Sequence, residues 1–127
     1  MLRKLSVTVA ALAMSVGGVV AGAAPSQAAP APSQKAAAGD VCFFTDTNFG
    51  GDSWCYAPPG YVDVPSWLQD DAESFDARNL GQTVYAIDWT RTTCFYRTIR
   101  PGDWGIDWSW GSRIDGMADT TMSCAAG

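Results

Sequence analysis

The 127-residue chain contains no histidine. Its absence removes the commonest general base and every Ser-His or Cys-His nucleophile pair. Lysine occurs only at Lys4 and Lys35. No Cys-x-x-Cys pair is present, which counts against a zinc knuckle built from the four cysteines. From Gly39 onward no window carries the 3.6-residue apolar period of a long helix. Glycoside cleavage by paired carboxylates is the catalytic chemistry left over, but no spacing among the acids singles out a pair. The chain therefore reads as a non-enzyme.

Three compositional zones follow one another. Arg3 and Lys4 precede an apolar run from Leu5 to about Ala24, and Ser26-Gln27-Ala28 offers small residues where a signal peptidase reads. This predicts a secretory signal peptide over residues 1–28. As a membrane anchor the run is too rich in Ala and Gly, and no basic stop-transfer cluster follows it. Residues 29–38 are Ala, Pro, Ser, Gln and one Lys, without a large apolar group to bury, which predicts a disordered linker or pro-segment. Residues 39–127 hold all six Trp, all four Tyr, all five Phe and all four Cys, so the predicted domain begins at Gly39. It is expected to be extracellular and monomeric, with no membrane contact once the signal is cleaved.

The domain carries all 13 acidic residues against five arginines, a formal charge of −8. Nucleic acid and anionic membranes repel such a surface, whereas a cation or a basic partner suits it. Four cysteines in a small exported chain predict two disulfides, with three connectivities open. Val41-Cys42-Phe43-Phe44-Thr45 and Ser53-Trp54-Cys55-Tyr56 are β-prone and flank the turn formers Asp46-Thr47-Asn48 and Gly50-Gly51. A hairpin turning near Asn48–Phe49 sets Cys42 opposite Cys55. That favours a Cys42–Cys55 bridge and leaves Cys94 for Cys124.

Further strands are expected over Ser74–Arg78, Thr83–Ile87, Thr93–Ile99 and, last, Thr120–Cys124, while Asp103–Asp119 lacks clean periodicity. The chain also repeats. A shift of 42 residues lays Gly39, Asp46, Pro59 and Gly60 on Gly81, Asp88, Pro101 and Gly102, and lays Phe43 and Trp54 on Tyr85 and Tyr96. Two similar four-stranded units packed as a sandwich would cover each other's apolar faces.

Phe44-Thr45-Asp46-Thr47-Asn48-Phe49-Gly50-Gly51 resembles the aromatic-x-x-x-x-aromatic-x-Gly signature of the βγ-crystallin Greek key. Asp70-Asp71-Ala72-Glu73-Ser74-Phe75 resembles that family's calcium signature at three of its four specified positions, departing at Phe75. The resemblance implies an all-β, βγ-crystallin-like sandwich of two Greek keys. It also implies a calcium site at Asp70, Asp71 and Ser74, with Glu73 adding a hard oxygen donor; the bland alternative is a solvated acidic turn. In the second unit Arg91 and Thr93 replace the aromatic and the glycine, and Asp115–Thr121 only loosely matches the acidic motif. A mirrored site near Asp115 and Thr120 is the corresponding expectation.

The signal peptide, single domain and cysteines together resemble the peptidase inhibitor family typified by the Streptomyces metalloproteinase inhibitor. Killer-toxin-like antimicrobial proteins share the fold. The inhibitor resemblance implies a secreted proteinase as partner and a rigid loop that enters its cleft. The most loop-like stretch is Arg100–Gly111, with Arg100, Asp103 and Trp104 as candidate contacts, although no closely spaced cysteine pair closes it. Trp104, Trp108 and Trp110 crowd that same stretch, where core packing and an exposed aromatic patch are the two readings. The expected function is a proteinase-inhibiting binding protein. A killer-toxin-like protein or a calcium-stabilised structural module stands as the alternative.

Overall fold

The computed structural model describes residues 37–127. The expected signal peptide and most of the expected linker lie outside these residues. Nine strands run in chain order: β1 Val41–Phe44, β2 Ser53–Tyr56, β3 Val62–Asp63, β4 Ser74–Asp76, β5 Val84–Trp89, β6 Cys94–Ile99, β7 Trp104–Gly105, β8 Gly116–Ala118 and β9 Ala125–Ala126. The only helical segments among the described residues are 3-10 turns at Thr47–Phe49 and Ser109–Arg113.

The strands form two sheets, ordered β2-β1-β4-β7 and β3-β8-β5-β6-β9. All pairings are antiparallel except β6 with β9. The two units exchange strands: β3 of the first unit joins β8, and β7 of the second joins β4. The 42-residue register extends to both exchanged strands. Val62–Asp63 falls on Trp104–Gly105, and Ser74–Asp76 on Gly116–Ala118. The second sheet has five strands rather than the expected four, because β9 adds to the edge of β6.

Alternation on each strand sends one row of side chains between the sheets. Val41, Phe43, Tyr56 and Phe75 meet Val84, Ala86, Ile99 and Met117 there, with Leu68 and Ile114 closing the ends. Phe75, the residue that departs from the calcium signature, is thus a core residue, packed 4.7 Å from the Trp108 ring. Trp108 also lies beside Phe43 and Trp110, and Trp110 is buried. Core packing therefore accounts for two of the three clustered tryptophans, and only Trp104 is exposed.

Both expected disulfides are present, Cys42–Cys55 across β1 and β2 and Cys94–Cys124 between β6 and the C-terminal segment. On the outer face of the first sheet, Phe49 folds back over Phe44 and the Cys42–Cys55 bridge and is 1% exposed. Folding back sends Asn48 and Phe49 to positive φ. It also brings the chain so close at Gly51 (φ +73°) that a Cβ would stand 2.2 Å from Thr45 Oγ1. Ser74 locks the loop: its buried hydroxyl donates to the Asp46 carbonyl at 2.6 Å and accepts from the Phe49 amide at 3.0 Å.

The strand expected over Thr120–Cys124 is instead a turn. Met122 and Ser123 take positive φ and the Cys124 amide bonds the Thr121 carbonyl. The fourth strand of the second unit is β8, which has no β-branched residue and was hidden in the aperiodic stretch. The strand expected over Ser74–Arg78 ends at Asp76, where Arg78 turns back to pair with the Asp76 carboxylate at 2.9 Å.

Candidate functional site

Four acidic residues gather at one end of the sandwich, where the loop before β4 meets the segment after β7. The Leu68 and Gln69 amides both donate to the Pro65 carbonyl, forming a tight turn. Asp70 follows with φ 57°, and its amide reaches the Ile114 carbonyl at 3.3 Å. The Trp108 amide donates to the Glu73 carbonyl at 2.7 Å, and Gly111 lies so close to Ala72 that a Cβ would collide with its carbonyl oxygen. The two segments are thus pressed together, and Asp70, Asp71, Glu73, Asp107, Ser109 and Ser112 line one open hollow of about 340 Å³.

Of the calcium ligands implied by the sequence, Asp70 and Asp71 line this hollow and Glu73 lies with them. Ser74 does not line it. Its hydroxyl is fully buried behind the hollow, holding Asp46 and Phe49. Asp107, Ser109 and Ser112 were not singled out in the sequence. The 42-residue register places Ser112 on Asp70, so the repeat carried a signal for Ser112, whereas Asp107 and Ser109 fall on Pro65 and Trp67 and had none. Carboxylates, hydroxyls and the nearby backbone carbonyls are the hard oxygen set that Ca²⁺ takes, so the donor chemistry of the first unit fits the ion. Among the described residues no three carboxylates converge on one point. A bound ion would therefore complete its shell with carbonyls, hydroxyls and water.

The second unit does not fit the ion. By register its counterpart of Asp70–Ser74 is Ser112–Gly116, which puts Arg113 where the first unit has Asp71. The Arg113 guanidinium pairs with Asp88 at 2.8 Å and lies 5.2 Å from the Trp110 ring and 5.6 Å from the Phe95 ring. A built-in cation already occupies that end. Asp115 stands apart from the first hollow, accepting the Trp89 amide at 2.7 Å. Burial raises its pKa, and the carboxylates of Asp70, Asp88 and Asp63 add to the rise. Thr120 lies in the bend after β8.

The stretch Arg100–Gly111 is not one projecting loop. It comprises a tight turn, strand β7 paired to β4, and most of the second 3-10 turn. In the first turn the Arg100 amide donates to Asp103 Oδ2 at 2.7 Å, the Asp103 amide to the Arg100 carbonyl at 3.0 Å, and the Gly102 amide to the Ala77 carbonyl at 3.0 Å. Arg100 and Asp103 sit together on this turn, beside a second hollow shared with Arg97 and the last two residues. Trp104 stands on the sheet edge, opposite Asp76.

Two interlocked Greek keys that trade their third strands define a βγ-crystallin-like sandwich. Solved structures agree. The chain is similar to the βγ-crystallin domain of the Abundant Perithecial Protein of Neurospora crassa, described in its Ca²⁺-bound form (TM-score 0.53, 25% identity, 67% of this chain and 91% of that one). It is likewise similar to a βγ-crystallin of Ciona intestinalis (TM-score 0.50, 18% identity, 65% and 100%). No protein-family model matches the chain, and no curated protein matches it. Among the described residues no helix is long and apolar enough to cross a membrane.

Proposed function

We propose that the protein is a secreted, non-enzymatic binding module whose acidic end takes up calcium. The observation that carries this reading is the single hollow lined by Asp70, Asp71, Glu73 and Asp107. The calcium-bound state of the Neurospora domain supports it. The signal-like N-terminus and the two disulfides support export. With few carboxylates per ion the site is a weak one, with Kd on the order of 10⁻⁴–10⁻³ M. At 10 mM Ca²⁺ that corresponds to about 1.4–2.7 kcal/mol of stabilisation. Thermal melting of the full chain with and without calcium, beside titration calorimetry, tests the proposal. A calcium-dependent rise in Tm that Asp71→Asn abolishes is the expected result. An unchanged Tm together with no heat of binding refutes it.

Proteinase inhibition is the second reading. It is favoured by the Arg100–Asp103 turn, which is exposed and held by the three hydrogen bonds described above, so little ordering entropy is lost when it is gripped. Stoichiometric inhibition of a thermolysin-type metalloproteinase, lost in Arg100→Ala, supports it. Full protease activity in the presence of excess protein excludes it for that protease class.

A further inference from the structure

The outer face of the five-stranded sheet is paved differently from that of its partner sheet. Alternation brings Asp63, Tyr85, Ile87, Trp89 and Tyr96 to this side, with Tyr61 just before β3 beside them. Ile87 and Ala118 are buried beneath the rings of Tyr61, Tyr85 and Tyr96. No folded hairpin lies over them, because β5 and β6 are joined by a short turn in which Thr90 and Thr93 bond each other. Trp89 is left 45% exposed.

That exposed ring is held firmly. Its indole N–H donates to the Tyr61 hydroxyl at 2.8 Å, the Tyr61 hydroxyl donates to Asp63 Oδ1 at 2.7 Å, and the Trp89 amide donates to Asp115 Oδ2 at 2.7 Å. Tyr61 and Trp89 meet edge to face at 6.1 Å, and Tyr85 and Tyr96 do so at 5.5 Å. Tyr61 reaches this position only because residue 116 is glycine: a Cβ there would stand 2.3 Å from the Tyr61 hydroxyl. Burial first, and then the hydrogen bond to Asp63, push the Tyr61 pKa up to about 12, so the hydroxyl keeps its proton and the chain of donors stays intact.

We infer that this face binds a cationic amino-sugar polymer, with the exposed Trp89 ring stacking on a sugar ring, Tyr61 holding that indole in place, and Asp63 and Asp115 facing the polymer's ammonium groups. The C–H face of a pyranose ring is apolar and flat and suits an exposed indole, and an ammonium is drawn to both aromatic faces and carboxylates. The Asp115 carboxylate feels the negative charge of Asp70, Asp88 and Asp63, with Arg113 as the counter-charge on Asp88. A positively charged ligand relieves that repulsion, whereas a polyanion increases it. A peptide adding as a strand needs a long open edge, and the edge strand here, β3, is two residues long. Rings fixed by hydrogen bonds before binding lose little entropy when the polymer docks.

Retention of the full chain on insoluble poly-β-1,4-glucosamine tests the inference, with the N-acetylated polymer, cellulose and polylysine beads run in parallel. The protein should bind the amine-bearing glucan most tightly. Trp89→Ala should weaken binding about tenfold or more, as expected for loss of one stacked, cation-facing ring. Trp89→Phe keeps a ring and should retain most of the affinity, which separates loss of stacking from loss of fold. Trp104→Ala, an exposed tryptophan on the edge of the other sheet, should change nothing. No retention on the amino-glucan, equal retention of Trp89→Ala, or tighter binding to polylysine overturns the inference.

Discussion

The two hairpins that open the two units occupy equivalent places and behave in opposite ways. In the first, the eight residues between β1 and β2 fold back, so Phe49 seals the outer face over a disulfide. In the second, four residues join longer strands, and the register partner of Phe49 is the exposed Arg91. One face is closed by its own hairpin. The other is covered by the rings of Tyr61, just before β3, and of Tyr85 and Tyr96 on its own strands, and by the tail that Cys124 ties down. A repeat can therefore keep its strand plan while one copy gives up its cap. A capped copy adds to the core, whereas an uncapped one presents a surface.

The largest expected effect tests that contrast directly. Phe49→Ala removes a fully buried ring and should lower unfolding free energy by about 3–5 kcal/mol, whereas Arg91→Ala at the matching position should stay within about 0.5 kcal/mol. Urea unfolding midpoints of the two variants decide it, and similar losses at both would erase the distinction. A smaller effect concerns Ser74 and its register partner Gly116. Ser74→Ala leaves the buried Phe49 amide and Asp46 carbonyl without their shared partner and should cost about 1–3 kcal/mol. Gly116→Ala should cost a similar amount by a different route, displacing Tyr61 and shifting Trp89 fluorescence, a change that Ser74→Ala should not produce.

The smallest effect is a pair of opposed acid titrations. Burial favours protonation of Asp76, but its hydrogen bonds from Arg78 outweigh this and hold the pKa below the usual value. A depressed carboxylate contributes stability that is present above its unfolded pKa and is lost as pH falls through the folded one. Asp76→Asn should therefore flatten the loss of stability below about pH 4. Asp115 is raised by burial and by neighbouring carboxylates. Its contribution is present below the unfolded pKa and is lost as pH rises through the folded value. Asp115→Asn should therefore flatten a decline that begins above about pH 4. Melting temperatures across pH 2–7 read both slopes, and slopes of the same sign would undo the assignment.

The first hairpin was legible because its signals are local: β-prone residues, turn formers, a required glycine and two cysteines in register. The 42-residue repeat was legible too, and it ran further than the turn residues suggested. The exchanged strands β3 and β7 were not, because two residues of Val-Asp or Trp-Gly carry no period and owe their strand conformation to a partner far away in the chain. Residues 116–118 looked unlike a strand because the Tyr61 ring selects glycine at the first position. Thr120–Cys124 looked like one because threonine is β-prone, although the disulfide and two left-handed residues impose a turn. At the acidic end, Asp70 and Asp71 were legible as a motif. Ser74 was read as a ligand position, because a buried hydroxyl that holds a loop and one that binds an ion look the same in a linear string, and Phe75 was read only as a departure from the motif, although its ring fills the core.

The exchange of third strands has a consequence for how the molecule comes into being. The sheet begun by Val41 is finished only by Trp104 and Gly105, and the sheet begun by Val62 waits for Gly116. A chain emerging N-terminus first from a ribosome or a translocation pore holds no finished sheet until nearly its whole length is out. Such late, long-range closure makes for slow folding. It also leaves the chain threadable throughout synthesis, and either half expressed alone should remain unfolded until it meets the other.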